Sequence, residues 1–431
     1  MRFASASIGS LITLFIGLAA SIVLTRLLGL EGRGAFALAT RSVGILGAVA
    51  QWGIPEMMMG FLRTGKHSTG ALLGTGLAMV VGTTLVLGAM CILAAPQLQD
   101  SVLRGVPSDV LVLVLMSTVF TVGYTILRRV IQLRGQLVTY NLLDLAKSGT
   151  FLALIALVVF VFHTQLYGAV LAFLLSEAAL AIFCGAYVWW KFERSWLINY
   201  SLGIRLARSG LLIQTGIVGM FLAGQAGVFI VNVNASLADV GYYATALGLA
   251  TYVTYISVSI RTVLHSRMMS TESRGGSVAG LTVSITRHTL VWLVACAILL
   301  AVLGKPIIAV LYGREFEPAY PALVLFLPGM VCLGLQQILA SYFNARSEFR
   351  LPTLGALIAA GVGVFLQLWL TPIFGLTGAA AALSIGYAAA LAMYVVMFCR
   401  RSGVPVIALL PTIGDVAFYQ ALAHQLISVR R

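Results

Sequence analysis

A chain of 431 residues that is 60% hydrophobic, only 9% charged and has a mean hydropathy of +1.01 is not a soluble domain, in which about 25% of residues are charged. Its net charge of +14 would suit nucleic acid only if gathered on one folded face; the basic residues instead occupy short breaks between apolar runs, which excludes nucleic acid as a partner. Five cysteines lie inside apolar runs without CxxC spacing, so neither a disulfide framework nor a metal site is indicated. No GxxxxGK[ST] loop is present, so the chain has no ATPase of its own, and no cofactor is expected.

The first apolar run, near 5–25, follows Arg2 in the manner of a secretion signal. Similar runs recur along the whole chain, so it reads as an uncleaved first span. Stretches of about 20 apolar residues cross a hydrocarbon core of about 30 Å as helices, because lipid offers the backbone no hydrogen-bond partners. The further runs fall near 35–61, 69–94, 109–127, 139–162, 166–190, 208–231, 239–262, 286–304, 319–343, 352–371 and 376–399. The prediction is an all-α integral membrane protein of about twelve transmembrane helices. GTGLAMVVG at 74–82 has suggestive glycines, but small residues four apart in a membrane helix serve close packing. Trp189, Trp190 and Trp196 at the end of the sixth span read as an interfacial aromatic belt. The tail, 401–431, is interrupted by Pro405, Pro411 and Asp415, which suits an interfacial segment better than a thirteenth span.

Placing the N-terminus in the cytoplasm puts 20 of the 27 Lys and Arg on that side, 5 outside (Arg26, Arg33, Arg104, Lys305, Arg314) and 2 within spans (Arg41, Lys147). This is a strong positive-inside signal, and twelve spans return the C-terminus to the cytoplasm. The outer loops are too short to hold a folded catalytic domain.

EGRGAFALATR follows the first span as ADVGYYATALG follows the seventh, with Gly34 and Gly241 corresponding at an offset of 207 residues. QLYGAVLAFLLSEAALAIF and GLTGAAAALSIGYAAALAMY correspond through Gly168 and Gly378 at an offset of 210. The chain is therefore two copies of a six-helix unit, 1–200 and 201–400, followed by the tail. Six is even, so both copies run in the same sense and their pseudo-twofold axis lies along the membrane normal. Two such bundles enclose a central cleft, and rocking one against the other exposes it to each side in turn.

The RLLG that ends the first span, the GAFALA that opens the second, its counterpart DVGYYATALG, and PIIAVLYGREFEPA near 306–319 resemble the polysaccharide flippase branch of the multidrug/oligosaccharidyl-lipid/polysaccharide (MOP) superfamily. The resemblance implies a transporter of the bacterial cytoplasmic membrane, not an enzyme. It moves a polyprenyl-diphosphate-linked oligosaccharide of the O-antigen type, beside a polysaccharide polymerase and a chain-length regulator. Two rivals stay open: a multidrug or cation antiporter of the same superfamily, which needs an acidic lumen, and a membrane glycan polymerase or ligase, which needs outer catalytic groups.

Five ionisable residues fall within predicted spans: Arg41, Glu56, Asp144, Lys147 and Glu177. A charge at mid-helix costs about 2.5–3.5 kcal/mol on insertion scales, so each needs water, protein or a partner. Arg41 is the candidate lumen contact for a diphosphate or acidic sugar, since a guanidinium fork suits phosphate oxygens; the alternative is an ion pair or snorkelling to the outer interface. Arg261 is a second contact for the head group, or else a positive-inside anchor. Asn234 and Gln336, with Asn232 and Gln337 beside them, offer hydrogen bonds to sugar hydroxyls or between helices. Asp144 and Lys147 form an i,i+3 pair. Glu177, with no partner within a turn, and Glu56, on a neighbouring face of Arg41's helix, are the candidates for ion coupling. Pro55 is expected to loosen the inner end of the second span.

Overall fold

The computed structural model describes residues 2–63, 68–162, 166–192, 194–255, 257, 278–346 and 348–412. The described residues are helical, without strands. The first bundle is α1 (Arg2–Ala50), α2 (Ile54–Arg63), α3 (Thr69–Leu93), α4 (Ala95–Asp100), α5 (Ser108–Leu133), α6 (Leu137–Phe162) and α7 (Leu166–Lys191). The second is α8 (Tyr200–Asn234), α9 (Leu237–Thr251), α10 (Val278–Leu311), α11 (Tyr320–Ala345) and α12 (Arg350–Ser402). Nine described helices are long and apolar enough to cross a membrane. Two of them, α1 and α12, each hold two predicted spans, and α9 covers another; the twelve spans are thus accounted for.

The chain turns at these double spans with less loop than the sequence suggests. α1 runs through the expected turn at 26–34 with one break, Gly29, at φ 65° and ψ −169°. α12 does the same at Gly375, φ 57° and ψ −135°. Both lie in a region that a side chain disfavours, so glycine confines the break to one residue. The face where α1 begins is called here the near face, and the face at Gly29 the far face.

The second span departs from the expected 35–61. Its helix stops at Ala50, and a turn with Trp52 at φ 52° and Gly53 at φ 66° leads into α2. The Trp52 indole donates to Thr83 Oγ1 at 3.1 Å, which helps hold this unusual backbone. Pro55 is not a loosened point within a span: it is the second residue of α2, where its missing N–H costs nothing. The predicted packing role for GTGLAMVVG holds at Gly74 and Gly76 but not at Gly82, where an added Cβ would meet nothing within 4 Å. A methyl on Gly74 would sit 2.6 Å from the Leu197 carbonyl oxygen, and the segment joining the bundles docks there, with Asn199 N–H donating to Thr75 Oγ1 at 2.9 Å. Trp189, Trp190 and Trp196 are exposed, as an interfacial belt requires.

Within the bundles α8 packs along α12, α11 on α12 and α5 on α7; between them α1 lies against α8 and α9. In a bilayer the lipid is as apolar as the core, so close packing rather than exclusion of water holds helices together. That makes the backbone contacts between bundles decisive. Gly34 and Gly241, the repeat-related pair, meet each other: a Cβ on Gly34 would lie 2.2 Å from Leu237 O, and one on Gly241 2.3 Å from Leu30 O. At the near end Gly53 and Gly210 meet as closely, with an added Cβ 2.5 Å from Gly210 O or 2.2 Å from Trp52 O. Gly34→Ala should therefore wedge the far seam open and lower the thermal unfolding temperature in detergent, while Gly17→Ala, with nothing within 4 Å of its added methyl, should leave it unchanged. Equal unfolding temperatures would show that the seam yields.

The core is shared unevenly between the two faces. Towards the far face one continuous cluster joins Leu24, Phe36 and Leu38 of the first bundle to Val231, Tyr243 and Phe326 of the second. Towards the near face it divides into Ile54, Met58, Leu72 and Ile126 on one side and Tyr342, Phe343, Tyr394 and Phe398 on the other. Polar ties reinforce the far side. Arg26 donates to the Leu311 carbonyl at 2.8 Å and to that of Val310, meeting the C-terminal end of α10 where a cation is favoured. Asn232 donates to the Val102 and Arg104 carbonyls at 3.0 and 3.2 Å.

Candidate functional site

A cavity of about 390 Å³ lies between the bundles, within the range of about 300–1,000 Å³ typical of small-ligand sites. α1 contributes Arg41, α8 contributes Gln225, the chain from α9 onward contributes Thr251, Tyr252 and Tyr255, and α11 and α12 contribute Gln337 and Tyr387. Among the described residues Arg41 is the one charged group that lines it, and none of the lining residues is a carboxylate. A second cavity of about 240 Å³ shares Met220, Leu333, Gln337 and Tyr387 with the first and continues towards the near end of the second bundle, at Asn344 and Phe349.

Helical register brings Arg41 here. The α1–α9 seam places Gly34 against Gly241, and Arg41, two turns further along α1, lines the cavity together with Gly248 and Thr251 of α9. Among the described residues Arg41 makes no ion pair or hydrogen bond; its electrostatic neighbours are the Tyr243 and Tyr387 phenols and Arg33. The expected alternative of an interhelical ion pair is thus not realised in the described structure.

The other predicted site residues are distributed differently. Gln336 lines the smaller cavity, but its amide donates to the Tyr387 carbonyl, the helix-to-helix alternative. Its neighbour Gln337 reaches both cavities, and its Oε1 has no hydrogen-bond partner. Asn234 is corrected: it ends α8, is exposed and bonds back to the Ile230 carbonyl of its own helix at 2.8 Å. Arg261 lies outside the described residues, as does the tail from 413 onward. Gln225, Tyr252 and Tyr255 were missed. A lone amide in the otherwise apolar GMFLAGQAGVF was a signal for Gln225; tyrosines near a span end carry none that separates them from a belt.

The buried charges also pair otherwise than their spacing predicts. Asp144 and Lys147 do not bond each other. Asp144 meets Arg128 of α5, whose guanidinium also lies 3.8 Å from the centre of the Tyr140 ring. Lys147 reaches 2.7 Å to Glu177 of α7, so Glu177, fully buried, has a partner from another helix. Glu56 is removed from Arg41's helix by the break at 51–53 and pairs with Arg129 at 2.8 Å. Neither candidate coupling carboxylate lines the central cavity.

Two six-helix bundles around an inter-bundle cavity with a lone guanidinium define a membrane transporter, not an enzyme. The structure is similar to that of a lipid II flippase MurJ in an inward closed conformation, at a TM-score of 0.80 and 14% identity over 94% of this chain and 89% of that one. An inward-facing multidrug resistance MATE family transporter of the MOP superfamily superposes at a TM-score of 0.70 and 14% identity, over 93% and 98% of the two chains. A MOP superfamily transporter from Pyrococcus furiosus, described as having a binding pocket of reverse polarity, gives 0.64 and 13% over 94% and 96%. No curated protein sequence matches the chain. The family model for lipid II flippase MurJ matches residues 65–415, and the chain belongs to that family. The resemblance to the polysaccharide branch is thus corrected at the level of family, since the family match lies with the lipid II flippases, while transporters of the MOP superfamily share the fold.

Proposed function

We propose that this protein flips a polyprenyl-diphosphate-linked saccharide from the cytoplasmic to the outer leaflet of a bacterial cytoplasmic membrane by alternating access. The observation that carries the reading is Arg41 without a carboxylate partner among the described residues, which otherwise line the cavity with amides, hydroxyls and apolar groups. A diphosphate neutralises such a cation with charge-assisted hydrogen bonds, and amides and phenols suit saccharide hydroxyls. An organic cation finds no counter-charge among the described lining residues, which disfavours the multidrug reading. The near face, where the basic segments gather and the core is divided, is assigned to the cytoplasm, with both chain ends on that side.

The cargo has two readings that share this chemistry. The sequence motifs favour a surface-polysaccharide repeat unit, which would bring a polymerase and a chain-length regulator as partners; the family match favours lipid II. Proteoliposomes offered each lipid separately distinguish them by which one becomes accessible in the opposite leaflet. In either case Arg41→Ala should insert and fold normally yet flip at least tenfold more slowly, with Arg41→Lys retaining part of the rate. Wild-type flipping by Arg41→Ala would remove the diphosphate contact from the mechanism.

A further inference from the structure

Arg41 is not the only unpaired guanidinium on α1. Arg33, which the sequence places in an outer turn, lies instead within the helix just beyond the Gly29 kink, and it is half-buried. Its Nε is shut off from solvent and has no hydrogen-bond partner. Among the described residues it forms no ion pair. The groups within its electrostatic range come from the second bundle: Tyr312, at the end of α10, and Tyr252. Tyr252 also lines the central cavity.

The acids on that side are committed elsewhere or face outward. Asp239 closes the capping box with Ser236 at the start of α9, Glu317 pairs with Lys305 at 3.4 Å, and Glu31 is exposed. A half-buried cation whose Nε has neither an anion nor a hydrogen bond is unfavourable, so Arg33 is placed to receive a charge that the described residues do not supply. Eight residues separate Arg33 from Arg41, which is about 12 Å along the helix and about 80° around it. The two side chains therefore leave adjoining sides of one helix, and their guanidiniums lie within electrostatic range of each other, so that an anion held at one can be handed to the other.

We propose that Arg33, with the Tyr252 and Tyr312 hydroxyls, forms a second anion station that takes the diphosphate of the lipid-linked cargo from Arg41 on its way to the far leaflet. The inference rests on the reading that the cavity carries a lipid diphosphate. Tyr252 is the common element: it borders the cavity on one side and reaches Arg33 on the other, so the head group would be passed along α1 without meeting an acid. The far seam must part for this to happen, which places Arg33 after Arg41 in the cycle and assigns it to release rather than to capture.

The test uses the full chain in proteoliposomes, with a polyprenyl diphosphate bearing a labelled disaccharide as probe for both binding and flipping. Arg33→Gln should bind the probe within about twofold of the wild type and flip it at least tenfold more slowly. Arg33→Lys should restore a substantial part of the rate, and Tyr312→Phe should slow flipping about threefold. Arg41→Gln, in contrast, should lose binding itself. Wild-type flipping by Arg33→Gln overturns the proposal, as does a slowed rate that Arg33→Lys fails to rescue, since a kept charge would then be irrelevant. Normal binding and flipping by Arg41→Gln would instead overturn the reading on which the proposal rests. If Arg33→Gln does not fold, the decision passes to Tyr312→Phe, and a wild-type flipping rate in that variant rejects the station.

Discussion

Lys147→Met should be among the most damaging single substitutions in the first bundle. Glu177 is fully buried, and its Oε1 lies 2.7 Å from the Lys147 ammonium. Its Oε2 has no hydrogen bond at all. Removing the cation strands a carboxylate in a low-dielectric interior, for which breaking one half of a buried pair costs about 3–5 kcal/mol. The expected result is a large drop in thermal stability in detergent and little monodisperse protein. Lys147→Met combined with Glu177→Gln should recover most of that loss, because neither partner then carries a charge. If the single variant is as stable as the wild type, Glu177 is not held by Lys147. The same set of variants tests ion coupling. A proton carrier would leave Glu177→Gln with a flipping rate insensitive to pH, whereas a structural pair would leave the pH profile of the double variant unchanged.

Gln214→Leu should open the near seam. Gln214 of α8 is buried and spans the bundles: its Oε1 accepts from the Gly53 N–H at 2.6 Å, and its amide donates to the Ala48 carbonyl. Those two backbone groups flank the break between α1 and α2, where helical partners run out. Leucine would fill the space but leave both unpaired, at about 1–3 kcal/mol for each buried orphan. Water can satisfy them only if the bundles part. Spin labels at Gly60 on α2 and Ile204 on α8, both exposed, should show a longer distance population in Gln214→Leu than in the wild-type background. An unchanged distribution would mean that the Gly53–Gly210 contact closes this face without help. The core is already divided here and continuous at the far face, so loss of this polar clasp should favour opening at the near face.

One member of the candidate site, Arg41, was legible from the sequence, and for an identifiable reason. Arg41 stood out because insertion of a charge into a span needs a justification, and the cavity supplies one. The repeat was legible because Gly34 and Gly241 sit in corresponding short motifs, and their mutual contact explains why both are glycine. What was misread concerns partners. Asp144 and Lys147 are spaced for an i,i+3 pair, yet each is drawn to a residue on another helix, Arg128 and Glu177. Arg33 was counted as a loop residue because a charge beside glycines ordinarily marks a turn. Asn234 passed as a lumen residue because span limits read from hydropathy do not show where a helix ends or which way its last side chain points.

The sequence by itself determined the membrane, the number of spans, the doubled six-helix unit and the excess of basic residues on one face. These follow from composition and from periodicity along the chain, which the bilayer constrains strongly through backbone hydrogen bonding and length. Only the tertiary structure decided which charges meet, that Arg33 and Arg41 both stay without acid partners among the described residues, and that Gln214 bonds across the near seam. Such contacts join residues on different helices, where the angle of each helix about its own axis fixes the partner. That angle is set by packing between whole bundles, to which no local spacing gives access.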